Sequence, residues 1–131
     1  MHTSEGAVRV LLDAVATRDL QLIQDALSPH CTWQNVPNPP AVGRTAVLEL
    51  LAPILCWADE IRWDIVSAGY DGDTAWVERA DRFWIDGQEY TALCNGVITV
   101  DLESGTITSV RDYVDLGEWR ARVAPVLATL A

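Results

Sequence analysis

The chain is short of positive charge. Nine basic residues stand against nineteen acidic ones in 131 positions, a formal net charge of −10 with a pI near 4.3. A field of that sign repels phosphate backbones and anionic lipid, which argues against nucleic acid or a membrane surface as partner. Cysteine is scarce too. Cys31, Cys56 and Cys94 are odd in number and widely spaced; they form neither a disulfide framework nor a metal-ligand pattern, and a reducing compartment is the simpler expectation. The two histidines, His2 and His30, have no partner pattern, so a histidine-based metal site or triad lacks support. No basic segment followed by an apolar run opens the sequence, so no signal peptide is expected. No apolar run approaches the roughly 20 residues that span a bilayer. These absences together suggest a cytoplasmic location. With no repeat, linker or low-complexity tract, the length suits one domain over residues 1–131.

What is present is apolar and aromatic. Half of the residues are hydrophobic and six are tryptophan, enough for a packed core and for large pocket walls. Thr3 or Ser4 can cap a first helix carrying Val8, Leu11, Leu12 and Val15. Asp19 can cap a second, carrying Leu22, Ile23, Ala26 and Leu27, and Ser28-Pro29 should end it. His30 to Asn35 looks like a short strand. Three prolines make Val36 to Pro40 irregular. Helical spacing returns at Val47, Leu50, Leu51 and Ile54, with Pro53 expected to break or kink that helix near its end.

From residue 60 the apolar period becomes two: Ile61, Trp63 and Ile65 alternate with Arg62 and Asp64. Asp71-Gly72, Asp86-Gly87 and Ser104-Gly105 punctuate four strands. Gly96, inside the long strand from Tyr90 to Val100, is expected to mark a bend or bulge. Asp115 with Glu118 forms a capping-box pattern for a last helix, whose apolar positions are Trp119, Val123, Val126, Leu127 and Leu130. The order predicts an α+β fold, with helices set against a mostly antiparallel sheet. Strong curvature would make that sheet a cone, closed by the helices around a small-molecule pocket.

The chemistry concentrates in the strand Trp76–Trp84. Alternate side chains share a face, so Arg79 and Asp81 lie on one face between Val77 and Phe83. Asp112 likewise lies between Val110 and Val114 on a later strand. Buried charges need paired, hydrogen-bonded partners. Arg79, Asp81 and Asp112 are therefore expected to meet in one apolar pocket.

Three segments carry a family resemblance: Gln34-Asn35-x-Pro37 with Pro39-Pro40 and Gly43-Arg44; Glu78-Arg79-Ala80-Asp81; and Ile107-Thr108-x-x-Arg111-Asp112-Tyr113-x-Asp115-Leu116. In this order and over roughly two-thirds of the chain, they resemble limonene-1,2-epoxide hydrolase, of the nuclear-transport-factor-2-like cone fold. The resemblance implies hydrolysis of an epoxide to a diol in one step, with no metal or organic cofactor. Asp112 would be the base that activates water, Asn35 would help hold that water, Asp81 would protonate the epoxide oxygen, and Arg79 would lie between the carboxylates. The family often has tyrosine where this chain has Trp33. An indole N–H can donate to the water but cannot accept, so Trp33 either holds the water or only lines the pocket. Ile54, Phe83 and Trp119 would make the pocket lipophilic, suited to a terpene-like or cyclic epoxide. The family also implies a homodimer. An epoxide opens readily when an acid protonates its oxygen as water attacks from the opposite side, each proton transfer contributing on the order of 10²–10⁴ in rate.

Other readings remain. Arg79 and Asp81 could be an exposed pair, Asn35 could serve only the backbone beside the prolines, and Ile54 and Trp119 could be plain core. Arg111 and Tyr113 share the opposite face from Asp112 and read as structural or interface residues. The rival activities are an isomerase or cyclase of a steroid- or polyketide-like substrate, with Tyr70 or Tyr90 as oxyanion donor and Arg79 turned away, and a non-catalytic small-ligand-binding module.

Overall fold

The computed structural model describes residues 2–130, except the Leu130 side chain, so that expected apolar position lies outside the described residues. Helix α1 (Ser4–Thr17) starts where the Thr3 hydroxyl accepts from the Gly6 N–H, and buries Val8, Leu11, Leu12 and Val15. Helix α2 (Leu20–Ala26) is capped by Asp19, which accepts from the Gln21 N–H. It ends earlier than expected. Leu27 already belongs to strand β1 (Leu27–Val36), and Leu22 faces solvent at 45% exposure. Ser28 and Pro29 lie within β1 because its pairing shifts register between Leu27 and Thr32, so the missing proline N–H removes no ladder bond. After the cis Val36–Pro37 bond, a two-residue strand β2 (Ala41–Val42) pairs back onto Thr32 and Trp33.

Helix α3 (Arg44–Trp57) corrects the reading of Pro53, which neither ends nor interrupts the helical run. The carbonyl it forfeits is that of Glu49, at an exposed position where water can satisfy it. Strands β3 (Glu60–Asp71), β4 (Thr74–Ile85), β5 (Gln88–Asp101) and β6 (Thr106–Val114) follow as a meander. The β4–β5 turn uses Asp86 (φ 51°) and Gly87 (φ 78°), the two positive values of a type I′ hairpin. The sheet order is β2-β1-β6-β5-β4-β3. Only β1 and β6 run parallel; the other pairs are antiparallel. The six strands form an open sheet that does not close into a barrel.

Helices cover one face of this sheet, with α1 against β3 and α3 against β1. The other face leaves Val66, Trp76, Leu93 and Tyr113 exposed. The sheet is strongly curved. Trp33 on β1 and Trp63 on β3 are four strand steps apart, about 19 Å in a flat sheet. Their rings nevertheless meet edge to face at 6.1 Å. The chain ends in α4 (Leu116–Glu118), a π-helical turn (Trp119–Val123) and α5 (Ala124–Leu130). Asp115 accepts from the Glu118 N–H at 3.1 Å, the first half of the expected capping box. The Glu118 side chain instead pairs with Arg122 at 3.2 Å.

The expected bulge at Gly96 is absent, and pairing runs unbroken through that residue on both sides. The β5–β6 irregularity falls instead between Thr99 and Val100. Gly96 serves a different purpose, at the centre of the sheet's inner face.

Candidate active site

The inward-facing positions form rows across the strands. Asn35, Asp112, Gly96 and Val77 make one row over β1, β6, β5 and β4. Val114, Cys94, Arg79 and Ile65 make the next, and Ala92, Asp81 and Trp63 the one after. Arg79 and Asp112 are thus two strands apart, with β5 between them. A Cβ on Gly96 would lie 2.7 Å from Asp112 Oδ1 and 2.8 Å from Arg79 Nη1. The missing side chain is what lets the guanidinium cross β5 and reach Asp112.

Arg79 bonds both carboxylates at once. Its Nε–H donates to Asp81 Oδ1 at 2.9 Å and Nη2 to Asp81 Oδ2 at 3.0 Å. Toward Asp112, Nη1 donates to Oδ1 at 3.1 Å and the same Nη2 donates to Oδ2 at 2.9 Å. The guanidinium is 1% exposed, the Asp112 side chain 6% and the Asp81 side chain 14%, so Asp81 is the member most open to a ligand. The ring of Trp63 lies against the guanidinium, 4.9 Å from Cζ to its centroid.

These contacts set the protonation of the site. Burial pushes Asp81 up from the ordinary carboxylate value; Arg79 opposes this through charge and hydrogen bonds, and the Asp112 charge adds to it. Arg79 is driven the other way. Burial alone would lower its pKa, but the two carboxylates raise it well above the usual value. The thiol of Cys94, beside them on β5, is pushed well up by burial and by Asp112, so it stays protonated. Two ionised carboxylates around one cation would leave a buried net charge of −1. Burying an uncompensated ion costs several kcal/mol, whereas one proton makes the trio neutral. Asp81 is the group whose surroundings favour that proton.

The trio borders a cavity of about 470 Å³ lined mainly by apolar side chains. Trp33, Asn35, Ile54, Asp81, Phe83, Asp112 and Trp119 all line it, while Arg79 lies behind its two carboxylates. All the residues singled out from the sequence are therefore brought to one place. The Trp33 indole N–H and the Asn35 amide have no protein partner among the described residues, and no buried side-chain nitrogen or oxygen is left unsatisfied. Both groups open onto the cavity. Phe83 stacks on Tyr90 at 5.9 Å and meets Trp119 at 5.8 Å. Trp119 begins the π-helical turn, a distortion often found at functional sites. Trp63, Cys94 and Arg120 also line the cavity but were not singled out from the sequence. The signal for Trp63 was available: it is an inward position of β3, directly opposite Asp81. Among the described residues, no group of three or more His, Cys, Asp or Glu side chains is arranged to hold a metal ion.

The model of the SnoaL-like domain family matches residues 8–110. The chain belongs to the SnoaL-like family. An LEH-like epoxide hydrolase from M. tuberculosis superposes with a TM-score of 0.77 at 26% identity, covering 97% of this chain and 93% of that one. A protein from Shewanella denitrificans assigned as a SnoaL-like polyketide cyclase gives 0.80 at 10% identity, covering 93% and 97%. A Catenulispora acidiphila protein with a ketosteroid isomerase-like fold gives 0.73 at 17% identity, covering 88% and 90%. At those lower identities the last two show the shared fold alone. The fold alone does not decide the chemistry, so any activity must be argued from the site residues.

Gly96→Ala should lower stability by about 1–3 kcal/mol, the usual range for overpacking, because the guanidinium it strikes is pinned by four hydrogen bonds. The control is Gly69→Ala, where a Cβ meets nothing within 4 Å. Equal denaturation midpoints for the two variants would contradict this account of Gly96.

Proposed function

We propose that this SnoaL-like protein is a cofactor-independent epoxide hydrolase that converts a lipophilic, terpene-like or cyclic epoxide to a vicinal diol in one step. One observation carries the reading: a buried guanidinium bonds two carboxylates, and both border the same apolar cavity. Asp112 takes a proton from water held with the help of Asn35 and Trp33. The water oxygen bonds to an epoxide carbon as that carbon's own bond to the epoxide oxygen, on its opposite side, breaks. Asp81 gives its proton to the departing oxygen. Arg79 stays charged throughout and lies between the group gaining a proton and the group losing one, so the trio remains neutral overall. Positioning the water avoids much of the entropy cost of attack.

The likeness to the M. tuberculosis enzyme supports this reading. The isomerase or cyclase alternative calls for a hydroxyl or protonated acid as oxyanion donor, without a central arginine. Here Arg79 is locked onto both carboxylates, and Tyr90 stacks against Phe83 and lines a separate hollow beside Glu118 and Arg122. A non-catalytic binding module would have no use for a carboxyl of raised pKa that borders the cavity beside a buried ion pair. The exposed Trp76, Leu93 and Tyr113 on the bare sheet face suit a homodimer contact, and sedimentation at micromolar concentration should give twice the monomer mass; a purely monomeric boundary would refute it.

A panel of lipophilic epoxides tests the activity. The unaltered protein should form diol, and Asp112→Asn and Asp81→Asn should each lose at least about 10²-fold in kcat, the lower end for a positioned proton-transfer group. Activity should fall on the alkaline side as Asp81 loses its proton, at a pH above the ordinary carboxylate range because its pKa is raised. An Asp112→Asn variant that remained fully active would sink the mechanism.

A further inference from the structure

We propose that Trp63 is a positioning residue of the site, its indole shielding Asp81 from bulk water and fixing the Arg79 guanidinium, so that Asp81 meets substrate as an acid rather than as a hydrated carboxylate. One strand pairing and two ring contacts converge on this residue. Trp63 is the direct cross-strand partner of Asp81. Its ring lies 4.9 Å from Arg79 Cζ. Its other neighbour is Trp33, edge to face at 6.1 Å, which braces the indole from across the cone. The two carboxylates hold the nitrogens of the guanidinium through hydrogen bonds, and the ring lies against it as a further, apolar restraint.

The sign of the effect follows from the groups around Asp81. Arg79 faces it from β4, Cys94 from β5 and Asp112 from β6, and Arg120 lines the same cavity from the π-helical turn. Burial is the largest single cause and raises the Asp81 pKa, Arg79 opposes it through charge and hydrogen bonds, Asp112 adds a smaller upward push, and the net movement is upward. Replacing the indole with a small aliphatic group admits water, which weakens both the burial penalty and the pull of Arg79. The enclosure as a whole raises the value, so opening it to water moves the value downward, toward the ordinary one. Trp63→Leu should therefore deprotonate Asp81 at a lower pH. Trp63→Phe keeps an aromatic face and should move it less.

The inference rests on the hydrolase reading for its catalytic consequence, but Asp81 protonation can be read without substrate. The test is a carbon-13 NMR titration of protein with labelled aspartate carboxyls, Asp81 being assigned by the signal lost in Asp81→Asn. The expected result is a midpoint lower in Trp63→Leu by about one pH unit, a tenfold loss of proton affinity, with Trp63→Phe in between. If Trp63→Leu does not fold, Trp63→Met fills the space without a ring and should show the same fall. A midpoint unchanged from the unaltered protein overturns the proposal, whatever happens to melting temperature. Where epoxides are hydrolysed, the alkaline limb of kcat/KM should move with the titration. A protein that opens no epoxide but shows the shifted midpoint would retain the role of Trp63 and lose the hydrolase reading.

Discussion

A guanidinium with 1% of its surface exposed is tolerable only because two carboxylates share it. Much of the inner sheet face is arranged around that requirement. Arg79 must cross a strand to reach Asp112, so β5 carries a glycine at the crossing point. Asp81 must lie two residues from Arg79 on the same strand face, which only the period of a β-strand provides. The second carboxylate leaves the trio with one negative charge in excess, and burial raises the pKa of Asp81, the more exposed of the two. Removing the arginine would leave buried carboxylate charge uncompensated, which typically costs about 3–5 kcal/mol.

Curvature turns this charge arrangement into a site. A flat sheet would leave the trio on an open face, where water would screen it and Asp81 would behave as an ordinary carboxylate. Bringing Trp33 within 6.1 Å of Trp63 folds the sheet around the trio. The helices and the π-helical turn then supply Ile54, Trp119 and Leu127 as further walls of one cavity. Asn35 and Trp33 border the same cavity beside the trio. The SnoaL-like fold provides the cone, and the Arg79–Asp81–Asp112 arrangement gives this cone its own chemistry.

Much of this was legible in the sequence because strand alternation is a short-range signal. Val77, Arg79, Asp81 and Phe83 fall on one face by alternation alone, and the Asp86-Gly87 turn marks where that strand reverses. Of the cavity residues, Phe83 came from strand alternation, Ile54 from its place on the helix after the proline loop and Trp119 from the family resemblance; all three line one cavity. What was hidden depends on neighbours far along the chain. Gly96 read as a bulge because its real partners, Arg79 and Asp112, lie 17 and 16 residues away and meet only in the folded sheet. Pro53 read as a break or kink, and the helix continues unbroken through it, because the carbonyl it leaves free belongs to an exposed residue, which sequence does not show. The early start of β1 through Pro29 depends on a register shift against β6, nearly eighty residues later. Trp63 was recognised as inward-facing, but its contact with the guanidinium is a product of curvature.

The central claim is that water, held and deprotonated at this charge-sharing trio, attacks the epoxide directly. A single turnover in oxygen-18 water, with protein in excess over a hydrolysed epoxide, tests it most directly. The account predicts one labelled oxygen in the first diol formed and none in the protein. Unlabelled first-turnover diol, with label appearing in the carboxyl of Asp112 or Asp81, would mean a covalent ester and would contradict it.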